Sequence, residues 1–112
     1  MDTITDEYMH QMLTATKNYT LVILKDGPKE NTENRQKLVW EHGRRNFALR
    51  NAGLLSIVCP VSDGSEVHGI SIFNADETKT REIMDEDPGV KAGIFIYDIH
   101  PTRSFPGDSL PG

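Results

Sequence analysis

Residues 54–73 read LLSIVCPVSDGSEVHGISIF, and this stretch decides the fold. It holds two β-rich runs, Leu54 to Val61 and Glu66 to Phe73, joined by Ser62-Asp63-Gly64-Ser65. An Asp-Gly pair inside so short a connection is typical of a β-hairpin. The two runs are therefore predicted to pair as antiparallel neighbours.

A strand and a helix are predicted before this hairpin. Tyr19 to Lys25 is β-rich and stops at Asp-Gly-Pro, a strong turn signal. Residues 33–52 contain no proline and a single glycine, Gly43, and Gly53 stands where a helix would end. We therefore expect a first strand followed by the main helix.

A helix and a strand are also predicted after the hairpin. Asn74 to Asp87 is expected to be helical, with Asp76 as its N-cap and Pro88 as its stop. Val90 to His100 is nearly continuous in apolar residues, which predicts a strand buried on both faces. The order strand, helix, strand, strand, helix, strand is that of an α+β, ferredoxin-like protomer.

Two segments lie outside this order. Residues 1–18 form a helical extension in the prediction, with Thr5 as the cap, residues 19–103 form the domain, and residues 104–112 form a tail rich in Pro and Gly. On the main helix, Leu38 and Leu49 share the side expected to face the sheet, whereas Trp40 and Phe47 lie nearly opposite. We expect the N-terminal helix to cover that second side.

The amino-acid composition limits the classes of molecule that the protein is expected to bind. The 12 basic and 17 acidic residues give a net charge of -5, which argues against nucleic acid, and no apolar run approaches the roughly 20 residues that span a membrane. Cys59 is the single cysteine, which fits a cytoplasmic protein, and the start shows no secretory signal. Neither the spacing of the histidines nor any glycine-rich loop indicates a metal or a cofactor.

In contrast, the apolar residues on both sheet faces predict a homodimer through the uncovered face.

Several motifs together resemble the YCII-related family over roughly residues 19–103. They are His42, Leu49, Gly53, Pro60, Gly69, Asp87-Pro88 and Ala92-Gly93-Ile94-Phe95. The resemblance implies a dimeric α/β barrel built from ferredoxin-like protomers. It also implies an active site on His42 and Asp87.

This pair supports two hypotheses about function. In the first, His42, oriented by Asp87, performs general acid-base chemistry on a small molecule in a lyase, isomerase or hydrolase step. In the second, the protein is a non-catalytic small-ligand-binding or accessory module in which the pair closes a structural hydrogen bond. An Asp before Pro commonly ends a helix, and a His facing a sheet is often structural.

Arg45 and Cys59 are the candidate ligand-binding residues. Arg45 lies one helical turn from His42 and could meet an anionic ligand, although an arginine here can equally be a solvated residue. Cys59 could contribute a thiol to the site. A lone cysteine in a β-rich run is more often a small buried apolar residue.

Overall fold

The protein is described by a computed structural model for residues 1–30 and 32–112. Within these residues, three helices and four strands follow the predicted order, and one additional short helix precedes the last strand. They are α1 (Asp6–Thr14), β1 (Lys17–Asp26), α2 (Arg35–Asn51), β2 (Leu55–Pro60), β3 (Val67–Phe73), α3 (Glu77–Asp85), α4 (Pro88–Lys91) and β4 (Phe95–Ser104).

The four strands form one antiparallel sheet with the order β2-β3-β1-β4. This α+β arrangement is compatible with a ferredoxin-like fold. The expectation that the last strand is buried on both faces is wrong, because β4 lies at an edge of the sheet and Ile96 is 46% exposed. Much of the apolar run that suggested a buried strand belongs instead to α4 and the turn that follows it.

The core lies between the helices and one face of the sheet. Val22, Phe73 and Ile94 are almost completely buried, and Leu38 and Leu49 of α2 pack against this cluster as predicted. Burial of a side chain such as that of Phe73 contributes about 1.5–3 kcal/mol to folding. The sheet-facing side of α2 is thereby fixed, and with it the direction of every other side chain on that helix.

The predicted hairpin is confirmed, but the strand before its turn contains an irregularity. The register of β2 against β3 shifts between Leu55 and Ile57. Leu55 and Val58 therefore both belong with the core, whereas simple alternation places them on opposite faces. As a result Cys59, which pairs with Ile70, faces away from the helices.

The second helix of the domain ends before Pro88, as predicted, but Pro88 also begins a new helix. That helix ends at Asp85, and Pro88 is the first residue of the short helix α4, whose N-cap is Asp87. Proline is well suited to this position because a first-turn backbone N–H has no partner within the helix. The predicted caps Thr5 and Asp76 are confirmed, since each accepts a hydrogen bond from the first turn of its helix.

The two ends of the chain also differ from expectation. No residue of α1 is buried, and Trp40 and Phe47 of α2 stay 70% and 63% exposed, so α1 does not cover this side of its own α2. At the other end, β4 continues through Pro101 to Ser104. A proline is tolerated there because β4 is an edge strand.

Among the described residues, no helix combines the length and the apolar character that crossing a membrane requires.

Gly27 is a position where the fold leaves no room for a side chain. Its N–H donates to the carbonyl of Ile94, and a Cβ added to it would lie 2.4 Å from the backbone oxygen of Gly93. We expect Gly27→Ala to lower the free energy of unfolding by about 1–3 kcal/mol in urea titrations. Gly43→Ala is the control: a Cβ there meets no atom within 4 Å, and removing a glycine from mid-helix should stabilise by roughly 0.5–1 kcal/mol. Equal stability of the two variants would contradict the close approach at Gly27.

Candidate functional site

The structure brings the two predicted site residues, His42 and Asp87, into contact. His42 lies in the middle of α2 on the side that faces the sheet, and Asp87 lies between α3 and α4. The distance from His42 Nδ1 to Asp87 Oδ1 is 2.7 Å. Only 15% of the histidine side chain and 2% of the aspartate side chain are exposed. The hydrogen bond therefore links two helices at the edge of the core.

Asp87 is held in place by its role as the cap of α4. Its Oδ2 accepts hydrogen bonds from the backbone N–H groups of Gly89 at 2.9 Å and Val90 at 3.2 Å. Gly89 permits this arrangement because a Cβ there would lie 2.5 Å from the Phe95 ring. Both carboxylate oxygens thus have partners, and the side chain cannot rotate without breaking them.

This contact determines the tautomer of His42. An ionised carboxylate only accepts hydrogen bonds, so Nδ1 carries the proton that it donates to Asp87. In the neutral ring Nε2 then has a lone pair, and the Asn46 side-chain amide lies 3.3 Å from it. The ring of Phe95 packs against the imidazole with 5.1 Å between the ring centres. The imidazole is therefore oriented on three sides.

Sequence reasoning missed Asn46 as a partner of the histidine. The two residues are four apart on α2, which is the spacing at which helical side chains become neighbours. A search for polar residues one turn from His42 would have found it.

Arg45 contributes positive charge to the same site. Its Nη1 lies 3.8 Å from Asp87 Oδ1, and 26% of its side chain is exposed. The guanidinium can thus contact solvent or a ligand while it remains next to the buried carboxylate. The expectation that Arg45 lies near the His42–Asp87 pair agrees with this geometry.

Cys59 is not part of this arrangement. It is exposed and pairs across the sheet with Ile70, which in turn pairs with Ile23, on the face opposite to the core residues Val22 and Val58. The sheet therefore separates Cys59 from His42.

A second histidine–carboxylate pair lies on another side of Phe95. His68 Nε2 contacts Asp26 Oδ1, and the His68 ring centre is 5.0 Å from that of Phe95. The Arg35 guanidinium lies 5.7 Å from the centre of the Phe95 ring and 3.4 Å from His68 Nε2. Sequence reasoning does not single out Asp26, Arg35 or His68. Asp26 and His68 lie far apart in the sequence, and the pairing of β1 with β3 brings them together, whereas Arg35 reaches them from the first turn of α2.

The carboxyl groups of this second cluster affect each other. Burial raises the pKa of Asp26, but hydrogen bonds from His68 and Glu30 and the charge of Arg35 outweigh it, so this pKa lies below its ordinary value. The hydrogen bond to Asp26 and its negative charge raise the pKa of Glu30. Of these two carboxyl groups, that of Glu30 therefore retains its proton more readily than that of Asp26.

Within the part of the chain that the structure describes, no group of three or more His, Cys, Asp and Glu side chains is arranged to hold a metal ion. What the site does contain is one histidine nitrogen with a lone pair and, beside its buried carboxylate, an arginine. Such a set can move a proton and neutralise an anion.

Removal of the Asp87 carboxylate should destabilise the fold. Asp87→Ala leaves the N–H groups of Gly89 and Val90 and the Nδ1 of His42 without their acceptor, and loss of a cap alone costs about 0.5–2 kcal/mol. We expect a decrease of about 1–3 kcal/mol in the free energy of unfolding, measured by urea titration. Asp87→Asn should lose less because an asparagine oxygen can still cap the helix. Wild-type stability of Asp87→Ala would contradict this role.

A comparison with protein-family models found no match to the chain, and a comparison with curated proteins found none either. The resemblance to the YCII-related family therefore stays a prediction.

Proposed function

We propose that the protein is a small-molecule enzyme in which His42 transfers a proton and Asp87 holds the histidine in the active tautomer. The observation that supports this proposal is the 2.7 Å contact between His42 Nδ1 and a carboxylate that two backbone N–H groups immobilise. A base whose orientation is fixed in advance loses no free energy to reorientation during the reaction.

The chemistry would proceed through Nε2 of His42. This nitrogen removes a proton from a C–H or O–H group of the substrate, the bonding electrons stay on the substrate, and the Asp87 carboxylate stabilises the imidazolium that forms. The same proton then returns to another atom of the substrate, or to a leaving group. Isomerase and lyase steps fit this sequence. A hydrolase step fits when Nε2 takes the proton from a water molecule instead, the water oxygen attacks the substrate, and the proton passes to the leaving group.

Asn46 would have to respond when a substrate binds. Its amide is 3.3 Å from Nε2, a long hydrogen bond, and a substrate that reaches this nitrogen must replace it. Once displaced, the amide is within reach of the substrate and can donate to one of its oxygens. Arg45, beside Asp87, favours a substrate with a carboxylate or another anionic group.

The second hypothesis is a non-catalytic small-ligand-binding or accessory module. The observation that favours it is the low exposure of the pair, 15% for His42 and 2% for Asp87, together with the use of both aspartate oxygens in contacts within the fold. In that case the contact serves to fasten α2 to α4. The two hypotheses differ in whether Nε2 of His42 takes part in a reaction.

We further propose a homodimer through the open sheet face, the arrangement of a dimeric α/β barrel that the YCII-related resemblance implies. The cross-strand pairs Leu21–Ile72 and Ile23–Ile70 lie on this face, and Ile70 is 39% exposed. Lys25 and Asp98 form an ion pair toward the β4 side. An apolar centre with charged residues at its border is typical of a protein–protein contact.

The catalytic proposal can be tested with a broad set of compounds in place of a single substrate. Wild-type protein is incubated in D₂O with a library of small metabolites, many of them anionic, and the mixtures are followed by NMR for conversion or deuterium incorporation. We expect at least one compound to react, and His42→Gln to slow that reaction by about 10²–10⁴-fold because it removes the base.

His10→Gln is the matched control, since His10 is exposed on α1 and belongs neither to the site nor to the open sheet face. It should react at the wild-type rate. A reaction that His42→Gln leaves unchanged, or a library in which nothing reacts, would argue for the binding module.

The sheet-face dimer predicts a specific loss of association. Ile70→Glu places a charge at the centre of the open face, and we expect the dimer dissociation constant to rise by about tenfold or more in sedimentation equilibrium. Thr78→Glu, which alters an exposed residue of α3 in the helix layer, is the control and should associate as the wild type does. Unchanged association of Ile70→Glu would contradict a contact through this face.

A further inference from the structure

The side of α2 that faces away from the sheet forms an exposed apolar groove. Val39, Trp40 and Phe47 line it together with Gly43 and Arg44, and the exposed fractions of Trp40 and Phe47 are 70% and 63%. Aromatic side chains this large are usually covered, and an apolar patch on a helix surface commonly marks an interface. We call this surface the α2 groove.

The helix α1 has an apolar surface that is likewise uncovered. Ile4, Tyr8, Met9 and Leu13 are each about half exposed, and none of the nine residues of α1 is buried. An isolated helix of this length is only marginally stable in water. Its apolar residues therefore need a partner surface for the helix to persist.

The charges of the two surfaces are opposite. Residues 1–16 contain Asp2, Asp6 and Glu7 and neither lysine nor arginine. The basic residues in and beside the α2 groove are Arg35, Arg44 and Arg50, and the acidic ones are Glu33 and Glu41, the latter paired with Arg44. The groove therefore has a small excess of positive charge. Opposite charges around apolar centres steer two surfaces together and select their orientation.

In the structure α1 does not cover the α2 groove of its own protomer, since α1 has no buried residue and Trp40 and Phe47 are exposed. Only Ala15 and Thr16 separate the end of α1 from the start of β1, and two residues span at most about 7 Å. The α2 groove faces away from the sheet, on the far side of a helix about 10–12 Å wide. A connection this short restricts the positions that α1 can take against its own α2.

We propose that α1 of one protomer docks in the α2 groove of a second copy of this chain. The exchange is reciprocal, because each protomer offers one helix and one groove, and a two-fold axis relates the two contacts. This contact is distinct from the proposed contact through the open sheet face. It also does not depend on the catalytic proposal for His42.

Trp40 provides the first test because it is the single tryptophan of the chain. In the associated protein its fluorescence should be emitted at shorter wavelengths than that of an exposed tryptophan. The double variant Tyr8→Glu/Leu13→Glu should shift the emission back to longer wavelengths, and it should still fold because α1 contains no buried residue.

Ile70→Glu on the sheet face is the matched control, and it should leave the Trp40 emission unchanged. The spectra are recorded at a protein concentration of about 100 times the dissociation constant of the α1–groove contact, so that nearly all of the protein is associated. Emission typical of an exposed tryptophan in the wild type at that concentration would overturn the proposal. So would a shift caused by Ile70→Glu and not by the α1 variant. The failure of the sheet-face dimer and the failure of this contact are thus distinguished.

Disulfide trapping tests whether α1 and the groove come from different chains. Both full-length chains carry Cys59→Ser; one also carries Met9→Cys in α1, and the other carries Arg44→Cys at the groove. After mixing and oxidation we expect a cross-linked heterodimer, because the contact brings the two thiols within bonding distance. Glu82→Cys on the exposed side of α3 replaces Arg44→Cys in the control and should yield at most about a tenth of that product. Equal yields, or an efficient disulfide within one chain that carries both Met9→Cys and Arg44→Cys, would overturn the proposal.

Discussion

The carboxylate of Asp87 is the interaction on which the candidate site depends. One oxygen caps α4 through two backbone N–H groups, and the other accepts from His42 on α2. Because the cap fixes the carboxylate, the carboxylate fixes the tautomer and direction of the imidazole. A carboxylate that is buried must have such partners, since an unpaired buried charge is very costly. Capping and orientation of the histidine are therefore consequences of one constraint.

Much of the fold and the centre of the site could be predicted from the sequence. The hairpin follows from Asp-Gly between two β-rich runs, and the inward side of α2 follows from the helical spacing of Leu38 and Leu49. That spacing also places His42 toward the sheet. Asp87 could be paired with it only through the family resemblance, because no local pattern relates residues so far apart in the chain. Phe95, which packs against His42, Arg35 and His68, belongs to the same motif.

The remaining features depend on interactions that a local pattern does not contain. The shift in register after Leu55 arises from pairing with β3. Because of this shift, Leu55 and Cys59 lie on opposite faces of the sheet, whereas strict alternation would place them on the same face. Pro88 follows a helical run and so has the position of a helix stop, but the side chain of Asp87 allows a new helix to begin there. The contact of His68 with Asp26 requires β1 and β3 to be neighbours. In the first and third of these cases tertiary pairing determines the outcome, whereas at Pro88 a local cap does.

The two proposed contacts lie on opposite sides of a two-layer protomer, which constrains any assembly that uses both. The open sheet face is one side, and the α2 groove is on the outer side of the helix layer. Consider a partner bound through the sheet face. To reach its groove, α1 would have to pass from one sheet to the other, about 10 Å, and then past the partner's helix layer, roughly a further 10–12 Å. Its nine residues span only about 14 Å. Even with a connection of at most about 7 Å, α1 would have no length left to lie in the groove, so we expect the two contacts to join different pairs of protomers. With both in use, two intersecting two-fold axes give a tetramer as the smallest closed assembly.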